Sequence, residues 1–197
     1  FHLYVPELTC RSRAVLDRVE RAADRPAEAH GSAEDKSRPL TRKRPPSSTP
    51  ETALAEGANR ILGRRLAGPE TESIQKYLAL LTRWQKSQRL VGSIQPEWLV
   101  DNVILDSLVF LRLLPAGPIS VADLGSGAGV PGIPMKIVRP EPNLTLIKWR
   151  ERRASFLAAV VRELGLRECR VVRGRAEDVD EAAIDLDAGA LFAADEV

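Results

Sequence analysis

One segment constrains the fold of this chain more than any other: an apolar run that ends in a carboxylate and passes directly into a glycine-rich turn. Residues 119–124 read Ile-Ser-Val-Ala-Asp-Leu, and residues 125–132 read Gly-Ser-Gly-Ala-Gly-Val-Pro-Gly. The first run is typical of a strand that is covered on both faces of a sheet. Closely spaced glycines allow positive φ and a close approach of the backbone to a ligand. The segment therefore predicts a buried strand, a ligand-binding turn and the start of a helix.

The residues after this turn alternate between strand and helix patterns. After the strand 119–124, we predict a helix at about 132–138, a strand at 144–147, a helix at 152–164 and a strand at 169–172. Such alternation indicates an α/β fold with a doubly wound parallel sheet. We expect the sheet to be incomplete and to stop after the third strand, because residues 180–197 contain only an acidic, alanine-rich stretch with one apolar cluster at 190–194.

The chain divides into three predicted regions. Residues 1–56 form a basic, Pro/Ser-rich arm that we expect to be disordered, because it has few large apolar residues with which to offset its ordering entropy. Residues 57–118 form an N-terminal helical region, with apolar residues at helical spacing over 70–84 and 98–114. Residues 119–197 form a partial ligand-binding domain.

Charge and cysteine content exclude several classes of protein. The formal net charge is +2, and residues 1–50 carry ten Lys/Arg against seven Asp/Glu, so the excess lies in this part of the arm and bulk charge argues only weakly for nucleic-acid binding. Cys10 and Cys169 are too far apart in sequence to suggest a metal site, and a reducing cytoplasm fits them best. No apolar run reaches the roughly 18 residues of a membrane span. We therefore expect a cytoplasmic protein without a metal or a membrane segment.

The glycine turn is compatible with two cofactors. Gly125-x-Gly127-x-Gly129, preceded by Asp123, resembles the motif of S-adenosylmethionine-dependent methyltransferases, in which the acidic residue and the turn hold the amino acid end of the cofactor. Gly127-x-Gly129-x-x-Gly132 matches a dinucleotide fingerprint by spacing. The second match begins late relative to the strand and contains Pro131, which has no N–H to donate to a pyrophosphate. The methyltransferase interpretation is therefore favoured.

A longer set of motifs resembles one family, the bacterial 16S rRNA (guanine-7-N) methyltransferases, also called the glucose-inhibited division protein B family. The segments that carry the resemblance occur in the family's order: 77–86, 104–108, the loop 123–134, Arg-Arg-Ala-Ser-Phe-Leu at 152–157 and Gly-Arg-Ala-Glu at 174–177. The resemblance covers about residues 60–180 and implies a Rossmann-like S-adenosylmethionine-dependent methyltransferase fold.

The resemblance also implies the ligands and the site. The cofactor would be S-adenosyl-L-methionine and the partner would be 16S rRNA in the small ribosomal subunit, with the enzyme acting as a monomer. The residues expected to contact the cofactor are Asp123, Gly125, Ser126, Gly127, Gly129, Val130, Lys148, Ala176 and Glu177. No catalytic residue is assigned, because the guanine nitrogen attacks the methyl group directly and the enzyme supplies proximity and orientation.

Two departures from the family pattern keep alternatives open. Lys148 stands where the family usually has Glu or Asp to bind the ribose hydroxyls, and a lysine offers donors only. Lys148 and Arg150 could instead meet the 2′-phosphate of NADP, which makes an NADP-binding protein the second hypothesis. Because the family's segments after the third strand are absent, a truncated or frame-shifted enzyme, or an inactive remnant of one, is also an expectation.

Basic residues on the predicted N-terminal helices have two interpretations. They could form a phosphate-binding face for RNA, or they could be an ordinary solvated helix surface. The residues concerned are Arg60, Arg64, Arg65, Lys76, Arg83, Lys86 and Arg89. Trp84, at helical spacing among them, is interpreted as a core residue rather than as a platform for a base.

Overall fold

The structure is a computed structural model that describes residues 49–117, 119–175 and 190–193 of the 197-residue chain, the last of these as backbone only. The predicted arm therefore lies outside the described residues up to residue 48. The longer helices are α1 Pro50–Leu62, α2 Gly68–Gln88, α5 Gly132–Val138 and α6 Glu151–Leu164. The strands are β1 Ser120–Leu124, β2 Asn143–Ile147, β3 Cys169–Val172 and β4 Ala190–Ala193.

The first described helix corrects the predicted boundary at residue 57. Helix α1 begins at Pro50, inside the range 1–56 that the composition predicts to be disordered. Thr49 caps it, because its side chain accepts a hydrogen bond from the backbone N–H of Thr52, and a proline suits the first helical position. Its buried side chains include Leu54 and Ala58. Residues 45–50 consist of Pro, Ser and Thr. These residue types are also common at helix starts, so the composition of the stretch did not distinguish a disordered arm from the start of α1.

Helix α2 extends beyond the predicted 70–84 at both ends. At its start, the Glu70 carboxylate accepts a hydrogen bond from the Ala67 N–H at 2.7 Å and pairs with Arg64 at 2.7 Å. It buries Ile74, Tyr77, Leu80 and Leu81. These residues follow the predicted helical spacing, so the face that the pattern assigned to the core is confirmed.

The predicted helix over 98–114 is present, but it changes its pitch along its length. It consists of α3 Pro96–Leu99, a π-helical turn Val100–Leu105, α4 Asp106–Val109 and a 3₁₀ turn Phe110–Leu113. Val103, Ile104 and Leu108 are buried in the core. The helical segment ends at Leu114, which is extended and precedes Pro115.

All four described strands are parallel, in the order β3-β2-β1-β4. The three predicted strands are confirmed, but the expectation that the sheet stops after the third is wrong. Strand β4 pairs with β1 from Val121↔Ala190 to Leu124↔Ala193, on the edge opposite β2. A buried strand needs partners for its backbone groups on both edges. Four apolar residues are too few for periodicity to distinguish a strand in the sequence.

The core lies between this sheet and the helices. Side chains of β1 and β2 pack with those of α5 and α6, among them Leu146, Ile133, Phe156 and Leu157, all fully buried. Trp84 of α2 contacts Phe156 edge-on, with ring centroids 5.7 Å apart. The interpretation of Trp84 as a core residue is confirmed.

We predict that Gly132→Ala destabilises the fold. A Cβ at residue 132 would lie 2.7 Å from Asp123 Oδ2 and 2.9 Å from Leu146 Cδ2, so the start of α5 would have to move away from the sheet. Overpacking of this kind costs about 1 to 3 kcal/mol. Gly68→Ala is the matched control, because no atom lies within 4 Å of its added Cβ. Equal free energies of unfolding for the two variants in urea would contradict the prediction.

Candidate functional site

The candidate site lies in the loop between β1 and α5, residues 125–131. This loop leaves the carboxyl end of the central strand β1, and the parallel strands β2 and β3 end at the same edge of the sheet. Ligands of open α/β sheets bind in the crevice outside the carboxyl ends of the strands. The fold therefore places the predicted glycine turn where a ligand would bind.

Hydrogen bonds to the neighbouring strand fix the first half of the loop. The backbone N–H groups of Gly125 and Ser126 both donate to the Ile147 carbonyl, at 3.0 and 3.2 Å. The Ser126 hydroxyl donates to the Asp123 carbonyl at 2.7 Å, and Ser126 is fully buried. Ser126 thus shapes the loop from inside, and its side chain is engaged with the protein's own backbone.

The glycines of the loop serve different purposes. Gly125, Gly127 and Gly129 all have positive φ, at 72°, 50° and 87°. A Cβ on Gly129 would lie 2.5 Å from Ile133 Cγ1, so this glycine is required for packing beneath the loop. A Cβ on Gly127 would meet only the Gly125 carbonyl oxygen, at 3.7 Å. Gly127 therefore lies at the open side of the loop, where a ligand could approach its backbone.

A tyrosine from the N-terminal helices anchors the second half of the loop. The Tyr77 hydroxyl donates to the Ala128 carbonyl at 2.8 Å, and its ring is fully buried. Burial, and secondarily the charge of Asp123, raises the pKa of Tyr77, which keeps the phenol as a donor. Sequence reasoning missed this role: the only signal was a tyrosine on the buried face of an amphipathic helix.

Asp123 lies beneath the loop and is fully buried. Its Oδ2 accepts a hydrogen bond from the Gly132 N–H, at the start of α5, at 3.1 Å. Its Oδ1 has no hydrogen-bond partner within the part of the chain that the structure describes. Burial raises the pKa of this carboxyl to about 8, against the lowering effects of the Gly132 N–H and of Lys148. A donor group of a polar ligand would satisfy this buried oxygen.

Lys148 directly follows β2 and is buried, with 2% of its surface exposed. Its ammonium group donates to the Gly125 carbonyl at 3.5 Å, and its backbone N–H donates to the Val172 carbonyl at 3.0 Å. The positive charge of Lys148 also acts on Asp123. The lysine is thus part of the inner side of the loop.

The next residues along the chain form an exposed cationic and aromatic surface. The Arg150 guanidinium lies 5.2 Å from the centroid of the Trp149 ring, and the Arg175 guanidinium lies 6.0 Å from it. Arg173 pairs with Glu151 at 3.5 Å. These residues follow the carboxyl ends of β2 and β3, beside the glycine loop.

The structure brings together most of the predicted cofactor residues, and two lie outside the residues it describes. Asp123, the loop residues 125–130 and Lys148 lie at one edge of the sheet. Ala176 and Glu177 lie outside the described residues. Of the basic side chains on the N-terminal helices, Arg64 pairs with Glu70 at 2.7 Å and Arg83 with Glu163 at 3.2 Å, which partly neutralises the predicted phosphate-binding face.

Metal-binding clusters and membrane-spanning helices are both absent from the described part of the chain. No group of three or more His, Cys, Asp or Glu side chains in ranges 49–117 and 119–175 is placed to hold a metal ion. None of the helices that the structure describes has the length and apolar character needed to cross a membrane.

Comparison with known proteins shows which family this sequence matches. The sequence profile of the GidB family, described as rRNA small subunit methyltransferase G, matches residues 70–188. A protein of Halorhodospira halophila named ribosomal RNA small subunit methyltransferase G is 39% identical over 116 residues, which are 59% of this chain and 54% of that protein. The Xanthomonas campestris protein of the same name is 36% identical over 137 residues, 70% of this chain and 64% of that protein.

A third relative with this name, from Chromobacterium violaceum, is 40% identical over 116 residues, 59% of this chain and 55% of the relative. The chain thus spans between about half and two thirds of the length of the curated relatives described here. The matched segments include the loop 125–131 and the strands β1, β2 and β3, because the family profile runs from residue 70 to 188.

We predict that Asp123 makes the stability of the protein depend on pH. Its pKa is raised to about 8 in the folded chain from 3.8, so the folded state retains a proton that the unfolded state has lost. The contribution of this proton to the stability of the fold is fully present below pH 3.8 and is lost as the pH rises to about 8. The free energy of unfolding should therefore fall between pH 5 and 8, by at most about 1.4 kcal/mol per pH unit.

Asp123→Asn should remove this slope, which urea unfolding at a series of pH values measures. Glu97→Gln is the control, because it changes an exposed carboxylate of α3 and should keep the wild-type slope. An Asp123→Asn variant with the full wild-type slope would show that another group is responsible.

Proposed function

Since the chain belongs to the rRNA small subunit methyltransferase G family, we propose that it transfers a methyl group from S-adenosyl-L-methionine to N7 of a guanine in 16S rRNA. The observation that carries the proposal is the buried Asp123 carboxylate beneath the glycine loop, with Oδ1 unpartnered among the described residues. The names of the relatives support the RNA substrate. The target nitrogen and the methyl donor follow from the family resemblance of the loop.

The residues of the loop fit the amino acid end of such a cofactor. An ammonium group could donate to Asp123 Oδ1, which lacks a donor within the described chain, and it would lower the pKa of this carboxyl. The backbone at Gly127 is open to a close approach. Gly125 and Val130 flank that position, and both are part-exposed. Gly129 supports the loop by its packing on Ile133.

Lys148 fits the cofactor less well. At the position where the family usually carries a carboxylate, its ammonium can donate to a ribose oxygen but cannot accept from a ribose hydroxyl. Its positive charge also opposes the cationic sulfur of the methyl donor. Lys148 is buried, and its positive charge lowers the pKa of Asp123. The positive charge of a bound ligand would have the same effect on Asp123, so the lysine partly replaces it. We therefore propose that this chain binds the cofactor more weakly than a family member with an acidic residue there.

The reaction needs little chemistry from the protein. When bound, the cofactor supplies an electrophilic methyl group. Guanine N7 carries a lone pair in the plane of the ring, so it attacks without losing a proton and no general base is required. The residues of this chain bind and orient the reactants: Tyr77 and Ser126 hold the loop in one conformation, and Asp123 fixes the start of α5.

The NADP-binding alternative has less support. It requires Lys148 to present its ammonium to a 2′-phosphate, but the side chain is buried and directed to the Gly125 carbonyl. The relatives also carry the name of a methyltransferase.

We further propose that the protein works in the cytoplasm, because its proposed substrate is the RNA of the small ribosomal subunit. We propose that it acts there as a monomer.

We predict methyl transfer to 16S rRNA. Radiolabelled S-adenosyl-L-methionine, the 197-residue chain and either assembled small subunits or deproteinised 16S rRNA should give labelled RNA, and nuclease digestion should release 7-methylguanosine. Gly127→Val is the negative control, because a side chain at φ 50° would strain the open part of the loop. A chain that labels neither substrate would overturn the proposal for this 197-residue protein.

We predict that Lys148→Glu strengthens binding of S-adenosylhomocysteine, measured by calorimetry. The new carboxylate can accept from both ribose hydroxyls, and a charge-assisted hydrogen bond contributes about 1.5 to 3 kcal/mol. Without ligand, the same variant should melt at a lower temperature, because it places a second carboxylate near the buried Asp123. Lys148→Met, which removes the charge and the donors, should bind with intermediate affinity. Weaker binding by Lys148→Glu than by the wild type would show that the lysine itself holds the cofactor.

A further inference from the structure

The most exposed large aromatic side chain that the structure describes lies beside the candidate site. Trp149 has 48% of its surface exposed, and it follows the buried Lys148 after the end of β2. Exposing an indole to water is unfavourable, and tryptophans at such positions are typical of contact surfaces. Trp149 thus follows the carboxyl end of β2, and the glycine loop follows the carboxyl end of the neighbouring strand β1.

Two arginines from different segments lie over this ring. Arg150 follows β2 and Arg175 follows β3, and their guanidinium groups lie 5.2 and 6.0 Å from the ring centroid. Ranges 148–153 and 173–175 together contain six cationic residues and one carboxylate, Glu151. Residues 49–175 contain 19 Lys/Arg against 12 Asp/Glu, and six of these 19 cationic residues lie in the two short ranges, so this edge of the sheet carries a local positive charge.

The chemistry of this surface identifies the class of ligand. An aromatic face stacks on unpaired bases whatever their sequence, and guanidinium groups bind phosphates and also stack on bases. An apolar protein partner would require apolar neighbours around the tryptophan, whereas the guanidinium groups of Arg150 and Arg175 lie over its ring. A polyanion with exposed aromatic rings offers both the anionic groups that the arginines would bind and the rings on which the indole would stack.

We propose that Trp149, Arg150 and Arg175 form a single-stranded RNA contact surface, in which the indole stacks on an unpaired base and the two guanidinium groups bind the adjacent phosphates. The inference rests on the proposed function in one respect, because it takes RNA as the substrate. It adds the residues that hold the strand at the edge of the cofactor loop. The base that stacks on Trp149 need not be the one that is methylated.

The test measures equilibrium binding of the 197-residue chain to a fluorescein-labelled ten-nucleotide single-stranded RNA, without a methyl donor, by anisotropy at several salt concentrations. Trp149→Ala should weaken binding by about 5- to 100-fold, and Trp149→Phe should recover most of it, because stacking needs only an aromatic ring. Val109→Ala is the matched control, since Val109 is exposed to a similar extent, 47%, in a different element. It should leave the affinity unchanged.

Charge and stacking are separated by the salt dependence. When an arginine no longer neutralises a phosphate of a single strand, the slope of log affinity against log salt falls in magnitude by about 0.7. Arg150→Gln and Arg175→Gln should each show this smaller slope, whereas Trp149→Ala should keep the wild-type slope. Arg167→Gln is the matched charge control. Arg167 is exposed just before the amino-terminal end of β3, whereas Trp149 follows the carboxyl end of β2. It should keep both affinity and slope.

Two results would overturn the inference. One is RNA affinity in Trp149→Ala equal to that of the wild type; if S-adenosylhomocysteine binding were weakened as well, the ring would be assigned to the cofactor's adenine. The other is an equal decrease in affinity in Val109→Ala or Arg167→Gln. Failure of the proposed function is a separate outcome, because a chain that binds RNA through Trp149 but transfers no methyl group would refute only the methyltransferase proposal.

Discussion

The hydrogen bond from the Gly132 N–H to the buried Asp123 carboxylate is the interaction on which the rest of the site depends. It joins the end of β1 to the start of α5, and it sets the separation between sheet and helix so closely that no Cβ fits at residue 132. An isolated buried carboxylate would be costly, and the positive end of a helix and the ammonium of Lys148 reduce that cost. The raised pKa shows that the compensation is incomplete. A ligand cation at Oδ1 would complete it, which couples binding to the protonation of this one group.

Positive charge at the carboxyl edge of the sheet is divided between two depths. Lys148 is buried at the inner side of the loop, whereas Arg150 and Arg175 are exposed around Trp149. Of the successive residues Lys148 and Trp149, the first is buried and the second is half exposed. The inner charge acts on Asp123 and thereby on the proposed cofactor. The outer charges face solvent, where a polyanionic substrate could reach them. A change at residue 148 should therefore affect the two proposed ligands differently from a change at residue 150.

Much of the fold was predictable because its signals are local. The glycine turn, the strand and helix alternation over 119–172 and the amphipathic helix α2 each depend on residues close together in sequence. The two errors have the same cause. The start of α1 at Pro50 and the strand β4 are short segments with weak patterns of their own, and each is formed through its packing or pairing with distant parts of the chain. For the site, the sequence predicted Asp123 and the loop residues, but not that Ser126 and Gly129 also support the loop from inside, which depends on contacts with other segments.

The sequence by itself determined the order of the elements, the place of the ligand-binding turn and the family to which the chain belongs, because these follow from residue types at fixed spacing. Only the tertiary structure decided which groups are buried together. Tyr77 reaches the Ala128 carbonyl across 51 residues of chain, and Ile147 accepts the N–H groups that shape the loop. The burial of Lys148 beside Asp123 and the stacking of Arg175 on Trp149 likewise join separate segments. Burial and electrostatic coupling depend on distance in space, which the spacing of residues along a chain does not specify.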